Sequence, residues 1–152
     1  MIGIVVVSCG KVALEMKRSA EILLGRKINH LRQVSVDPKK GLSGSKGNLT
    51  RAIKDVDDGD GVLILADLYG STPCNICMPY IAKHRVELVS GMNLPMLVKA
   101  VMVRESIDFG KFADFLVEYG KGRISLLREC PVDNGRGSAS KKQAEESCRG
   151  RI

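Results

Sequence analysis

The sequence predicts an α/β domain with a doubly wound, mainly parallel sheet and helices on both faces. Three observations carry that expectation. Ile2 to Val7 and Val62 to Ala66 are unbroken apolar runs rich in β-branched residues, the mark of strands buried on both faces. The segments between them carry apolar residues at helical spacing. Aromatic residues make up only 4% of the 152 residues, with no Trp, so the core is aliphatic and suits a covered parallel sheet better than a β-sandwich.

Taken in order, the first strand ends at Ser8-Cys9-Gly10. From Lys11 to Leu24, Val12, Met16, Ala20 and Leu23 recur at helical spacing, and Gly25 is a natural terminator. Leu31 to Val36 reads as a strand closed by Asp37-Pro38. Leu49, Ile53 and Val56 mark a second helix, whose beginning Gly44 and Gly47 weaken. Asp57 to Gly61 is turn chemistry. After the strand at Val62 to Ala66 comes the loop Asp67 to Pro73, in which Thr72 resembles an N-cap and Pro73 the first helical residue. The helix it opens runs to about Ala82. A short strand at Val86 to Val89 follows, then Ser90 to Leu94 and helices over Pro95 to Val103 and Phe109 to Tyr119. Ile124 to Leu127 reads as a last strand. The domain is assigned to residues 1–129. Residues 130–152, where Gly, Ser, Lys and Glu replace apolar residues, form a tail expected to be disordered.

Composition excludes several function classes. No apolar run approaches the roughly 20 residues of a membrane span. The N-terminus lacks a signal peptide's basic region and cleavage site, so a cytoplasmic location is expected. Five cysteines without framework spacing argue against structural disulfides. The net charge of +7 and pI near 9.3 come from scattered Lys and Arg mixed with acids. Without a basic stripe interleaved with aromatics, no nucleic-acid partner is expected.

Ligands of doubly wound folds sit beyond the carboxyl ends of the strands. Ser8-Cys9-Gly10, Asp67 to Asn75 and Gly91 to Pro95 are the polar loops there, each leading from a strand into a helix. In register, Gly3-Ile4-Val5-Val6-Val7-Ser8-Cys9-Gly10, Gly61 through Asp67-Leu68-Tyr69-Gly70-Ser71-Thr72-Pro73-Cys74-Asn75, and Ser90-Gly91-Met92-Asn93-Leu94-Pro95-Met96-Leu97 strongly resemble the mannose/fructose-type IIA family of the sugar phosphotransferase system. The resemblance spans roughly residues 1 to 129.

In that family a Ser-His-Gly loop carries a histidine that takes a phosphoryl group from the histidine-containing phosphocarrier protein and passes it to a IIB component. The resemblance implies those two partners, association with membrane permease components without stable membrane insertion, and a homodimer that exchanges its last strand, here Ile124 to Leu127. It implies that Asp67 is the carboxylate that holds the acceptor, and that Gly10, Gly70, Ser71 and Thr72 surround the phosphoryl group. Free backbone N–H groups at a helix N-terminus favour an anion. Ser8, Asn93 and Pro95 are placed on the site rim. No cofactor or metal is expected.

Cys9 stands where the family has its histidine. His30 and His84 lie at the opposite end of the sheet by topology. A thiol has no second nitrogen to bond Asp67, and its nucleophilic form is the thiolate, which a nearby carboxylate disfavours. Three readings remain open: Cys9 carries the phosphoryl group as a thiophosphate ester; the domain is a non-catalytic regulatory or interaction module; or Cys9 serves thiol-redox or metal chemistry with Cys74 and Cys77. The last draws on the Cys-x-x-Cys at a helix start, a place that lowers thiol pKa. Against a zinc site, no His-containing motif supplies the missing ligands.

Overall fold

The structure, a computed structural model, describes residues 1–37, 42–81 and 85–126. Four strands, β1 (Gly3–Cys9), β2 (Leu31–Val36), β3 (Val62–Ala66) and β4 (Val86–Ser90), form one parallel sheet in the order β2-β1-β3-β4. Five helices connect and follow them: α1 (Val12–Leu24), α2 (Leu42–Val56), α3 (Thr72–Ile81), α4 (Leu94–Val103) and α5 (Phe109–Lys121). The expected α/β architecture is present, with helices on both faces.

Side chains of a strand alternate between faces, so each strand feeds two cores. Ile4, Val6, Leu63 and Leu65 pack beneath α1, α4 and α5, with Ala20, Leu97 and Phe112. Val5, Val7, Val62 and Ile64 pack on the other side with Leu49, Ile53 and Val56 of α2 and Ile76 and Cys77 of α3. At Gly3 the backbone of β1 meets the end of α2 so closely that a Cβ would lie 2.4 Å from the Val56 carbonyl oxygen. Only glycine fits there.

Several boundaries differ from expectation for local reasons. The apolar face of α1 is Ala13, Met16, Ala20 and Leu24, whereas Val12 and Leu23 are 50% and 65% exposed. Helix α2 begins at Leu42 and runs through Gly44 and Gly47. Its burial of Leu49, Ala52, Ile53 and Val56 against the sheet outweighs the roughly 1 kcal/mol that each glycine loses relative to alanine. Helix α3 carries Pro79 in its interior. Residues 124–126 are not a strand in the single chain, and Ile124 and Leu126 are 80% and 75% exposed. Leu127, His84 and the whole tail lie outside the described residues. His30 sits in the turn before β2 with φ of 49°, its Nδ1 3.3 Å from the Asp58 carboxylate. That is the amino end of the strands, as the topology requires. No helix among the described residues is long and apolar enough to cross a membrane.

Candidate functional site

The chain leaves β1 toward β2 on one side, then returns past β1 to build β3 and β4 on the other. The carboxyl ends of β1 and β3 therefore form the switch point where such sheets bind ligands. Cys9 is the last residue of β1, and Asp67 directly follows β3. The Asp67 amide donates to the Val7 carbonyl at 3.2 Å, which continues the ladder to the edge of the site.

The Asp67 carboxylate organises both loops. Its Oδ2 accepts the Cys9 backbone N–H at 2.8 Å. Its Oδ1 accepts the Leu68 N–H at 2.8 Å and the Ser71 hydroxyl at 3.3 Å. A single side chain thus ties position 9 to the loop ahead of α3. Gly10 then turns the chain with φ of 58°, a left-handed conformation that glycine adopts without steric cost. Its N–H donates to the Val36 carbonyl at 3.3 Å.

Ser71, not Thr72, caps α3. The Ser71 Oγ accepts the Cys74 N–H at 3.3 Å and donates to the Leu68 carbonyl at 2.7 Å. Thr72 is the first helical residue, which moves Pro73 to the second, where its missing N–H is still harmless. Gly70, with φ of 74°, sets the turn before it. Asn75 adds a bond from Nδ2 to the Gly70 carbonyl at 3.1 Å.

Two residues placed on the rim by sequence have other work. Ser8 is fully buried and accepts the Ala13 N–H at 2.6 Å, so it fixes the start of α1 beneath the loop. Asn93 caps α4 by accepting the Met96 N–H at 2.9 Å, while its Nδ2 donates to the Gly120 carbonyl at 3.0 Å. Pro95 lies exposed in the first turn of that helix. The third loop joins the site through the Met92 N–H, which donates to the Ala66 carbonyl at 3.1 Å.

The exposed apolar side chains next to these loops were not singled out from sequence. Val12 is 50%, Leu68 65% and Tyr69 81% exposed, and they flank Cys9 and Asp67 in the chain. Leu68 and Tyr69 gave a signal as adjacent apolar residues in an otherwise polar loop, whereas Val12 opens α1. Beside Gly10 a cleft of about 480 Å³ opens between the end of β2 and the start of α2, with Lys11, Asp37, Ser45 and Asn48 among its lining.

The electrostatics at Cys9 run against ionisation. Its thiol is exposed, yet its pKa is raised above the ordinary value, first by the desolvation it does suffer and then by the negative charges of Asp67 and Asp37. At neutral pH the group is a thiol. Cys77 is further from reactivity: burial pushes its pKa up to about 12, and its Sγ donates to the Pro73 carbonyl at 3.1 Å. Cys74 is buried. Among the described residues no three His, Cys, Asp or Glu side chains cluster as a metal site.

The sign of the Asp67 effect is testable. Removing the charge with Asp67→Asn lowers the Cys9 pKa, so alkylation of Cys9 at pH 8 should become several-fold faster than in the native chain. Peptide mass mapping of iodoacetamide-treated protein measures this directly. An unchanged or slower rate would show that Asp67 does not set the charge state of the thiol.

The fold has counterparts among known proteins. The family model for the PTS system fructose IIA component matches residues 3–117. The fructose-specific EIIA component of Bacillus subtilis is 29% identical over 108 residues, covering 70% of this chain and 73% of that protein. The mannose-specific EIIAB component of Escherichia coli K12 is 28% identical over 134 residues, covering 87% of this chain; the chain spans only 41% of that longer protein. Among solved structures, the mannose/sorbose-specific IIA subunit from Enterococcus faecalis superposes with a TM-score of 0.75 at 25% identity, over 86% of this chain and 97% of that one. An EIIA component from Streptococcus agalactiae, at 23% identity, shares the fold with a TM-score of 0.76, over 86% of this chain and all of that one. With the family model matched over most of its length and the three loops assembled at one end of the sheet, the chain belongs to the mannose/fructose-type IIA family of the sugar phosphotransferase system.

Proposed function

We infer that this protein is a cytoplasmic IIA-type component of a mannose/fructose-type phosphotransferase system that docks its partners without carrying the phosphoryl group itself. The observation that supports this most is the state of position 9. The frame of the acceptor loop is intact, with Asp67 holding the backbone of residue 9 and Gly10 turning away from it. The side chain presented there is a thiol whose pKa is raised first by desolvation and then by the charges of Asp67 and Asp37. Phosphoryl transfer depends on positioning and on charge stabilisation of a loose transition state, and a neutral thiol is a poor nucleophile for it.

In this reading Val12, Leu68 and Tyr69 form the docking rim. Partners are the histidine-containing phosphocarrier protein and a IIB component. Residues around Ile124 pair with the free edge of β4 in a second copy, which covers two apolar side chains otherwise left in water. The thiol-redox alternative finds little support in Cys77, whose raised pKa and buried sulfur suit packing.

Calorimetric titration tests the docking role. The native chain should bind the phosphocarrier, and Tyr69→Ala with Leu68→Ala should weaken that binding about tenfold or more, as for apolar anchors at an interface centre. Equal affinity for native and doubly substituted chains would remove this rim from the interface.

A further inference from the structure

Asn93, placed on the rim by sequence, is half-buried, and its side chain ties the β4–α4 loop to both α4 and α5. Its Oδ1 caps α4 through the Met96 N–H, and its Nδ2 reaches the Gly120 carbonyl, 27 residues on, near the end of α5. The same Gly120 carbonyl accepts the Arg123 N–H at 3.2 Å, the bond that closes the last turn of α5. The approach is close: a Cβ on Gly120 would stand 2.3 Å from the Met96 Cε and 3.4 Å from the Asn93 Nδ2. Ile124 lines the same small cavity of about 120 Å³ as Asn93, Gly91 and Met96. One residue before Asn93, the Met92 N–H bonds the Ala66 carbonyl, and Ala66 precedes Asp67.

We propose that Asn93 is a positioning residue that sets the Asp67 loop by clamping the β4–α4 loop to the end of α5. The chain of contacts is short and specific: Gly120 carbonyl to Asn93 side chain, Met92 amide to Ala66 carbonyl, Asp67 carboxylate to Cys9 amide. The end of α5 is also where the chain departs toward residues 124–126. The trajectory of that segment and the geometry of the site therefore share one joint. The consequence for transfer rests on the functional reading above; the mechanical link does not.

Asn93→Asp separates the two bonds. Aspartate remains a good N-cap for α4, but it has no N–H for the Gly120 carbonyl and sets a charge against it. In the otherwise native chain, amide exchange at Met92 should accelerate about tenfold or more, beyond what the accompanying fall in urea midpoint accounts for. Asn93→Ala, which loses the cap as well, should lower the midpoint further. In a chain also carrying Cys9→His, Asn93→Asp should reduce the rate constant for labelling about tenfold, as expected when a reacting group is misplaced. Native-like exchange at Met92 in Asn93→Asp would overturn the proposal. So would a labelling rate equal to that of Cys9→His alone. If Cys9→His is itself not labelled, the functional reading fails, and the exchange measurement still decides the link.

Discussion

Replacing Cys9 by histidine is expected to turn a chain that accepts no phosphoryl group into one that does. The substituted residue would stand at the end of β1, exposed, with its backbone N–H on the Asp67 carboxylate and the Gly10 turn behind it. Imidazole supplies what the thiol lacks: a neutral nucleophilic nitrogen near pH 7 and a second nitrogen that bonds a carboxylate. Asp67 changes from an obstacle into a support, since a negative neighbour opposes a thiolate but stabilises the positive charge that develops on an imidazole ring as it takes the phosphoryl group. The readout is intact mass after incubation with phosphoenolpyruvate, enzyme I and the phosphocarrier. A gain of one phosphoryl group that is lost in acid supports the account. Adding Asp67→Asn to this variant should slow labelling about tenfold or more, through lost orientation of the acceptor.

The second large effect concerns stability. Phe112 is fully buried, on the face of α5 that closes the core formed with α1 and α4. Phe112→Ala leaves a cavity that rigid aliphatic neighbours fill poorly, so a loss of about 3–5 kcal/mol is expected. Urea unfolding followed by circular dichroism measures it. A loss below about 1 kcal/mol would mean that α5 is only loosely docked, and that the joint at Asn93 has no firm anchor. As a comparison, Gly47→Ala in α2, where an added Cβ meets nothing within 4 Å, should stabilise by about 0.5–1 kcal/mol.

The fold was legible because its strands declare themselves. A run such as Val62-Leu63-Ile64-Leu65-Ala66 has no polar face to offer water, and the structure buries all five residues. The helix faces were harder to read. In α1 the stripes Val12-Met16-Ala20-Leu23 and Ala13-Met16-Ala20-Leu24 share their two middle residues, so spacing alone does not choose between them. Close packing chose the one with the small Ala13, which lets the helix approach β1 and leaves the bulkier Val12 outside.

The loops at the strand ends were legible in outline for a related reason. Loops at strand ends must contain turn glycines and capping hydroxyls, and Gly10, Gly70 and Ser71 all serve in those ways. The assignment of roles within a loop was less visible. Ser71 and Thr72 are both good caps, and only backbone geometry shows that the helix begins at Thr72. Asn93 bonds a carbonyl 27 residues away, a contact that no local pattern encodes. The exposed Leu68 and Tyr69 depend on where the loop projects, which composition does not specify.

Whether the natural chain accepts a phosphoryl group at position 9 decides between a docking component and a working carrier. The most direct measurement is the intact mass of the native protein after incubation with phosphoenolpyruvate, enzyme I and the phosphocarrier, under conditions that label a histidine-bearing relative. No added mass is expected. One phosphoryl group per chain, lost on Cys9→Ser, would contradict it and make Cys9 a working phosphocysteine.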